Sequence, residues 1–174
     1  MRAALSRETP TSFAAVAEEQ LDGVLAYLVY LTGNRTVAED LAAETFERAF
    51  RRWRRYDPRR GSPRTWLLTL ARSTALDHFR SEERRRRREG TYALREIGVD
   101  EGGMFGDGYS PALEDALASL TAGEREVVAL RVLLDLDGET TARLLGISST
   151  ACSTRLHRAL GKLEEKVRSG DVLA

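Results

Sequence analysis

The sequence of 174 residues has one cysteine, few aromatic residues and no long apolar run. Its single cysteine, Cys152, can form no disulfide within the chain and cannot supply a cysteine cluster for a metal. No apolar segment is long enough to span a bilayer, and the N-terminal stretch MRAALSRETPTSF lacks the apolar core of a signal peptide. We therefore expect a cytoplasmic protein without membrane insertion, in which Cys152 is a small core residue.

Lysine is also scarce, because only Lys162 and Lys166 are lysines among 27 cations. The planar donor fork of arginine suits phosphate binding and base stacking, although a GC-rich genome would produce the same bias. The net charge of zero conceals four blocks of alternating sign. Their net charges are −4 for residues 1–50, +10 for 51–95, −9 for 96–140 and +3 for 141–174. This alternation favours separate contacts with a polyanion and with a basic or mixed-charge protein.

Apolar periodicity predicts helices and almost no strands, so the expected fold class is all-α. Three helices are predicted before residue 89, at Thr11 to Leu31, Thr36 to about Trp53, and Pro63 through Arg80. The second would begin with the capping box Thr36-Val-Ala-Glu39, and the third with Ser62 as N-cap before a first-turn proline.

A segment rich in glycine divides the chain. Residues 89–110 hold six glycines without sustained periodicity, which predicts a flexible linker. It would join two small helical domains, residues 1–88 and residues 111–174. Four helices are predicted in the second domain, at 111–119, 122–135, 139–145 and Ser149 to about Arg168, with a capping box at Thr121 to Glu124.

The segment from Leu136 to Leu160 has the pattern of a helix-turn-helix. Gly146 suits the positive φ at the end of a helix, and Ser148 can cap the next one. A rotation of about 100° per residue gives the long helix a buried stripe: Cys152, Leu156, Ala159, Leu160, Leu163 and Val167. Its opposite face carries hydroxyls and cations suited to nucleic acid: Thr150, Ser153, Thr154, His157 and Arg158, with Arg155 at the flank. An αα-hairpin in an ordinary bundle would show a polar outer face too.

The predicted second helix carries a polar strip of Asp40, Glu44, Glu47 and Arg51, with Phe46 and Phe50 at its edge. Aromatic anchors beside carboxylates are typical of a helix that docks on a basic protein. A solvated face with aromatics at the edge of the core explains the same pattern.

The segment from Tyr56 to Arg80 interleaves cations with aromatics, which suits single-stranded nucleic acid. Its candidate residues are Tyr56, Arg59, Arg60, Arg64, Trp66, Arg72, His78, Phe79 and Arg80. Trp66 is equally compatible with a core position. The arginine run from Arg84 to Arg88 fits either a solvated helix end or a nonspecific phosphate contact.

Three stretches together resemble the two conserved domains of bacterial RNA polymerase sigma factors of the extracytoplasmic-function (ECF) group, in the sigma-70 family. They are AEDLAAETFERAF from Ala38, YDPRRGSPRTWLLTLARSTALDHFR from Tyr56, and the pattern TAGEREVVALRVL…LLGIS…STRLHRAL in the C-terminal half. They occur in the family's order and span nearly the whole chain. The resemblance implies an all-α fold of two domains, no enzymatic activity and no cofactor.

The resemblance also implies roles for particular residues. Docking on core RNA polymerase, through the β′ clamp helices, would fall to Asp40, Glu44, Phe46 and Arg48. Recognition of the minus-10 promoter element as an opened strand would fall to Arg64, Trp66, Arg72, Ser73, Asp77 and Arg80, with Tyr56, Arg59 and Arg60 from the same basic segment. Recognition of the minus-35 duplex would fall to Ser149, Thr150, Ser153, Thr154, Arg155, His157 and Arg158.

Further partners implied by the resemblance are the polymerase β flap, promoter DNA and an anti-sigma factor. The sequence departs from the family at Thr141, which stands at a usually aliphatic core position, and at Ser153, which replaces a lysine. A stand-alone helix-turn-helix regulator of the LuxR type is the alternative function, with residues 1–80 as a sensing or dimerising domain. We find no Ser-His-Asp spacing, phosphate loop or metal cluster that would indicate an enzyme.

Overall fold

A computed structural model describes residues 12–88 and 111–171, apart from the side chains of residues 111–114 and 170–171. Every regular element in these ranges is helical, which confirms the all-α fold class. The α-helices are α1 (Phe13–Thr32), α2 (Arg35–Arg52), α3 (Pro63–Arg88), α4 (Pro111–Ala118), α5 (Ala122–Val128), α6 (Gly138–Leu145) and α7 (Ser149–Asp171). The predicted linker at 89–110 lies outside the described residues.

The junction between α1 and α2 differs from the prediction by two residues. Gly33 ends α1 in the left-handed conformation, with φ 64°, and its N–H donates to the Val29 carbonyl. The next residue, Asn34, is extended, and its side chain accepts from the Val37 amide at 2.9 Å. The predicted capping box beginning at Thr36 is therefore wrong, because Asn34 is the first residue in position to cap α2.

The predicted helix at 122–135 is an α-helix only as far as Val128. Its capping box is confirmed: the Thr121 side chain accepts from the Glu124 amide, and the Glu124 carboxylate accepts from the Thr121 amide. Beyond Val128 the chain widens into a π-helical turn, Ala129–Leu133, and the Leu134 N–H donates to the Ala129 carbonyl. Leu134 ends this turn and Asp135 follows with φ 49°, and the leucines on either side of Asp135, Leu134 and Leu136, are both buried.

Helices α1, α2 and α3 pack against one another, and α7 packs against α4, α5 and α6. The two groups also touch: α1 contacts α5 and the π-turn, and α3 contacts α6. One cluster of buried side chains extends through both, from Tyr27 and Leu67 to Leu130 and Ala159. Among the described residues, no helix combines the length and apolar character needed to cross a membrane.

Candidate nucleic-acid interface

Helices α6 and α7 form the predicted helix-turn-helix. Gly146 ends α6 with φ 67°, and the Ile147 N–H donates to the Ala142 carbonyl at 3.0 Å. The Ser148 hydroxyl accepts from the Ala151 amide at 3.1 Å, so the predicted cap of α7 is confirmed. Thr141, at the usually aliphatic position, is fully buried and its hydroxyl donates to the Asp137 carbonyl. That bond satisfies a polar group which the core would otherwise leave without a partner.

The two predicted faces of α7 are present, although Leu156, Leu163 and Val167 of the predicted buried stripe are only partly buried. Cys152 and Ala159 are buried as expected, but Leu160 is 43% exposed, so its assignment to the buried stripe is wrong. Leu160 follows Ala159 by one residue, and that rotation of about 100° carries it to the rim of the buried stripe. Six of the seven predicted DNA-binding residues on α7 are exposed: Ser149, Thr150, Ser153, Thr154, His157 and Arg158.

Arg155, the remaining candidate on α7, lies differently from the other six. It is half-buried and packs over the first turn of α5. A Cβ atom placed on Gly123 would lie 3.0 Å from Nη1 of Arg155, so the guanidinium occupies the space that the glycine leaves. Arg155 therefore packs against α5 and also lies at the rim of the exposed face of α7.

The aromatic candidates at the start of α3 form a stacked group. Tyr56 lies parallel to Trp53, with ring centroids 5.1 Å apart, and its centroid is 5.2 Å from that of Trp66. The Tyr56 hydroxyl donates to the Gly61 carbonyl at 2.8 Å, which fixes the loop between α2 and α3. Tyr56 and Trp66 are both half-buried, so each combines a packing role with an accessible ring edge.

The polar candidates around this aromatic group fall into two sets. Arg59, Arg60, Ser73, Asp77 and Arg80 are exposed. Arg64 and Arg72, in contrast, are engaged by the C-terminal helices. Arg64 donates to the Leu134 carbonyl, and Arg72 pairs with the carboxylate of Glu126 at 2.7 Å.

A buried tyrosine completes the contact around Glu126. The Tyr27 hydroxyl donates to the same carboxylate at 3.3 Å. Burial, followed by the negative charge of Glu126, raises the pKa of Tyr27 well above its ordinary value, so the phenol stays protonated and able to donate. Neither Glu126 nor the Leu134 carbonyl was among the residues predicted from the sequence. The only signal for them was the acidic block at 96–140, which opposes the basic block at 51–95.

The acidic strip on α2 is exposed as predicted. Asp40 and Glu44 face solvent, while Phe46 is half-buried and packs against the core. Arg48 pairs with Glu44 and also reaches Asp77 on α3 at 3.4 Å. Phe50 is 66% exposed and its ring contacts Phe13 of α1. The strip is thus a solvated surface with aromatic groups beside it.

The arginine run lies on the last turns of α3, and all five side chains are exposed. Glu82 and Glu83 pair with Arg85 and Arg87 at 3.7 and 2.8 Å. A solvated helix end accounts for these contacts.

Within residues 12–88 and 111–171, no three His, Cys, Asp or Glu side chains gather closely enough to hold a metal ion.

Comparison with known proteins identifies both helical groups. The family model for sigma-70 region 2 matches residues 16–85, and the model for sigma-70 region 4 matches residues 110–163. The RNA polymerase sigma factor CarQ of Myxococcus xanthus is 34% identical over 147 residues, covering 82% of this chain and 81% of CarQ. The ECF sigma factor BldN of Streptomyces coelicolor is 32% identical over 155 residues, covering 87% of this chain and 59% of BldN. The chain thus spans less than two thirds of the length of BldN.

Solved structures show the same fold. The sigma factor RpoE, in a complex with the anti-sigma factor NepR from Bartonella quintana, has a TM-score of 0.77 at 20% identity, covering 90% of this chain and 96% of RpoE. CnrH, in a complex with the cytosolic domain of CnrY, has a TM-score of 0.65 at 20% identity, covering 93% and 91%.

The alternative of a LuxR-type regulator is wrong, because a sigma-70 region 2 domain occupies the segment which that hypothesis left for sensing or dimerisation. The chain belongs to the ECF group of the sigma-70 family of RNA polymerase sigma factors.

Proposed function

We propose that this protein binds core RNA polymerase in the cytoplasm and directs it to promoters, with α2 as the docking helix, α3 and its preceding loop as the minus-10 surface, and α7 as the minus-35 recognition helix. The observation that carries the proposal is the set of exposed polar side chains on one face of α7, on the helix-turn-helix scaffold of a region 4 domain. The protein performs no bond chemistry. It supplies binding free energy that selects a site and stabilises an opened strand.

The minus-35 assignment rests on the chemistry of α7. Ser153, Thr154 and Arg158 are exposed and flank His157, which gives hydroxyl, imidazole and guanidinium groups within two turns. Such groups bind phosphate oxygens and base edges in the major groove of a duplex. Because Ser153 supplies no charge to the phosphates, the isolated domain is expected to bind duplex DNA weakly and to depend on polymerase for most of its affinity.

The minus-10 assignment rests on the aromatic group and the surrounding arginines. Tyr56 and Trp66 offer ring edges for stacking with unpaired bases, and Arg59 and Arg60 lie beside them in solvent. Stacking with nearby phosphate contacts is the usual way in which proteins hold single strands. Ser73, Asp77 and Arg80 extend this surface along α3.

The docking assignment rests on Asp40 and Glu44, whose carboxylates face solvent beside the partly buried ring of Phe46. An exposed acidic strip with an aromatic anchor complements a basic helical partner such as the β′ clamp helices. The β flap is proposed as the contact of the region 4 domain. We also propose control by an anti-sigma factor, since the similarly folded RpoE of Bartonella quintana forms a complex with one.

In vitro transcription tests the proposal. Core polymerase is assayed on fragmented genomic DNA with and without the purified chain, and the 5′ ends of the transcripts are mapped. We expect start sites that require the chain and share upstream sequence at minus-35 and minus-10. Transcripts whose positions are the same with and without the chain would show that it does not direct initiation.

A further inference from the structure

We infer that Arg155 and Lys162 are positioning residues of the minus-35 surface. They fix α7 on the first turn of α5 and so set the direction in which α7 presents its exposed face. Arg155 acts through Gly123 and not through a DNA phosphate, which differs from the role that the sequence resemblance implies for it. The inference rests on the proposed function, since it concerns how the same surface is held.

The guanidinium of Arg155 lies flat against α5. A Cβ atom placed on Gly123 would lie 3.0 Å from Nη1, 3.3 Å from Cζ and 3.5 Å from Nε. Because these three bonded atoms are at nearly equal distances, the group turns its flat face towards the glycine rather than one donor edge. The contact therefore depends on the planar shape of the guanidinium, which the ammonium group of a lysine does not have.

Gly123 is present for the sake of this contact. It is the second residue of α5, and its backbone is not in the left-handed conformation that would require glycine. Glycine is a weaker helix former than alanine. The Cβ atom of an alanine would lie too close to Arg155 for both groups to keep their places. The space for the guanidinium is thus what the glycine provides.

Lys162 makes a second contact with the same turn. Its Nζ lies 2.8 Å from Oε2 of Glu124, whose side chain is only 9% exposed. The same oxygen accepts hydrogen bonds from the amide and the hydroxyl of Thr121, each at 2.9 Å. The capping box therefore fixes the carboxylate within α5, and Lys162 attaches α7 to that fixed point.

The two contacts together determine the direction of α7. Arg155 and Lys162 are seven positions apart, so they lie on the same side of the helix, about 10 Å from each other along its axis. The buried Cys152 and Ala159 hold α7 by apolar packing, which is non-directional. Side chains that read base edges must be placed within about 0.5 Å and 10–20° of the productive geometry. Two specific contacts with α5 supply this precision.

Replacement of Arg155 by lysine separates the positioning role from a phosphate contact. Arg155→Lys keeps the positive charge, so a phosphate contact would largely survive, whereas the flat packing on Gly123 would be lost. We expect Arg155→Lys to lower transcription from a promoter found by start-site mapping by about five-fold, nearly as far as Arg155→Ala, because α7 keeps its DNA contacts in a poorer geometry. Wild-type transcription from Arg155→Lys would overturn the inference.

Gly123→Ala tests the same contact from the side of α5. The added Cβ displaces the guanidinium and leaves every exposed residue of α7 unchanged. We expect a loss of about five-fold in the wild-type background and no further loss in Arg155→Ala, because residues in contact have non-additive effects. Gly138→Ala is the matched control. Gly138 is the first residue of α6, and an added Cβ there meets nothing within 4 Å, so transcription should not change.

The two lysines give a second matched pair. Lys162→Gln removes the contact with Glu124 and should lower transcription in the same direction as Gly123→Ala. Lys166→Gln removes the same charge from an exposed position four residues later on α7 and should leave transcription unchanged. Equal losses in both variants would show that the charge of this end of α7, rather than its attachment to α5, is what matters.

Residual dipolar couplings of the full, ¹⁵N-labelled chain measure the direction of α7 without DNA or polymerase. The angle between the N–H bonds of α5 and those of α7 should change in Arg155→Ala, Arg155→Lys and Gly123→Ala, but not in Gly138→Ala. Circular dichroism checks that each variant is folded. An unchanged angle in both Arg155→Ala and Gly123→Ala overturns the inference, as does a changed angle with wild-type transcription. A chain that supports no promoter-dependent initiation contradicts the proposed function, while the measured angle still decides whether Arg155 positions α7.

Discussion

Arg48 of α2 and Asp77 of α3 lie 3.4 Å apart, nitrogen to oxygen, and Asp77 also pairs with Arg80 at 3.5 Å. The contact links the proposed polymerase-docking helix to the proposed minus-10 surface. Asp77 is about half exposed, so the interaction contributes little to stability. The contact matters because it makes the two surfaces contiguous. The charge of Asp77 orients one cation from each surface.

Arg158→Ala should lower promoter-dependent transcription by roughly ten-fold without changing the affinity for core polymerase. The side chain is exposed on the proposed recognition face of α7, and one such contact with DNA is worth about 1–3 kcal/mol. Arg168→Ala is the matched control, because Arg168 is an exposed arginine near the other end of the same helix and pairs with Glu164. Equal transcription from both variants would contradict the placement of α7 in the major groove.

Asp40→Arg should weaken co-purification with core polymerase by at least about ten-fold. The substitution places a positive charge in the acidic strip, where like charges across an interface cost several kcal/mol. Because Asp40 is exposed and has no buried contact, the variant should unfold at the same denaturant concentration as the wild type. Glu19→Arg makes the same reversal on an exposed position of α1 and should retain binding. Undiminished binding by Asp40→Arg would remove α2 from the proposed interface.

Local structure was largely predictable because its causes are local. The capping box at Thr121, the positive φ of Gly146 and the buried Cys152 each follow from a few neighbouring residues. The error at Thr36 has the same origin, since two residues within three positions can both cap a helix and the end of α1 decides between them.

The contact between the two helical groups was not predictable in this way. Glu126 and Arg72 are 54 positions apart, and nothing in either helical pattern indicates which acid meets which arginine. The charge blocks were interpreted as separate contacts with a polyanion and with a basic or mixed-charge protein, whereas Arg72 of the basic block pairs with Glu126 of the acidic block within the chain. The contact between Arg64 and the Leu134 carbonyl joins positions 70 apart, and neither helical pattern predicts it.

The stability of the C-terminal helices should depend on the ionisation of Glu124. Burial alone would raise the pKa of this carboxyl, but hydrogen bonds from Lys162 and Thr121 outweigh it and hold the pKa below its ordinary value of 4.5. A carboxyl with a lowered folded-state pKa stabilises the fold above its unfolded-state pKa, and that contribution is lost as pH falls through the folded-state value.

Urea unfolding at pH 6 and pH 3 measures this dependence. The wild type should lose more free energy of unfolding between the two values than Glu124→Gln, which has no charge to lose there. Glu139→Gln, an exposed glutamate on α6, is the control and should keep the wild-type dependence. An identical pH dependence in Glu124→Gln and the wild type would show that the Lys162 contact at 2.8 Å does not contribute to stability.

Two glycines near the recognition helix should respond in opposite directions to replacement by alanine. Gly161 lies inside α7, and an added Cβ would meet nothing within 4 Å, so Gly161→Ala should stabilise the protein by about 1 kcal/mol through helix propensity. Gly146 has equally open space but φ 67°, where an L side chain costs about 1–2 kcal/mol, so Gly146→Ala should destabilise it. The urea midpoints of both variants measure the two effects. Because an added Cβ atom has open space at both positions, the comparison isolates the effect of the backbone conformation. A stabilising Gly146→Ala would contradict the left-handed turn on which the orientation of α7 depends.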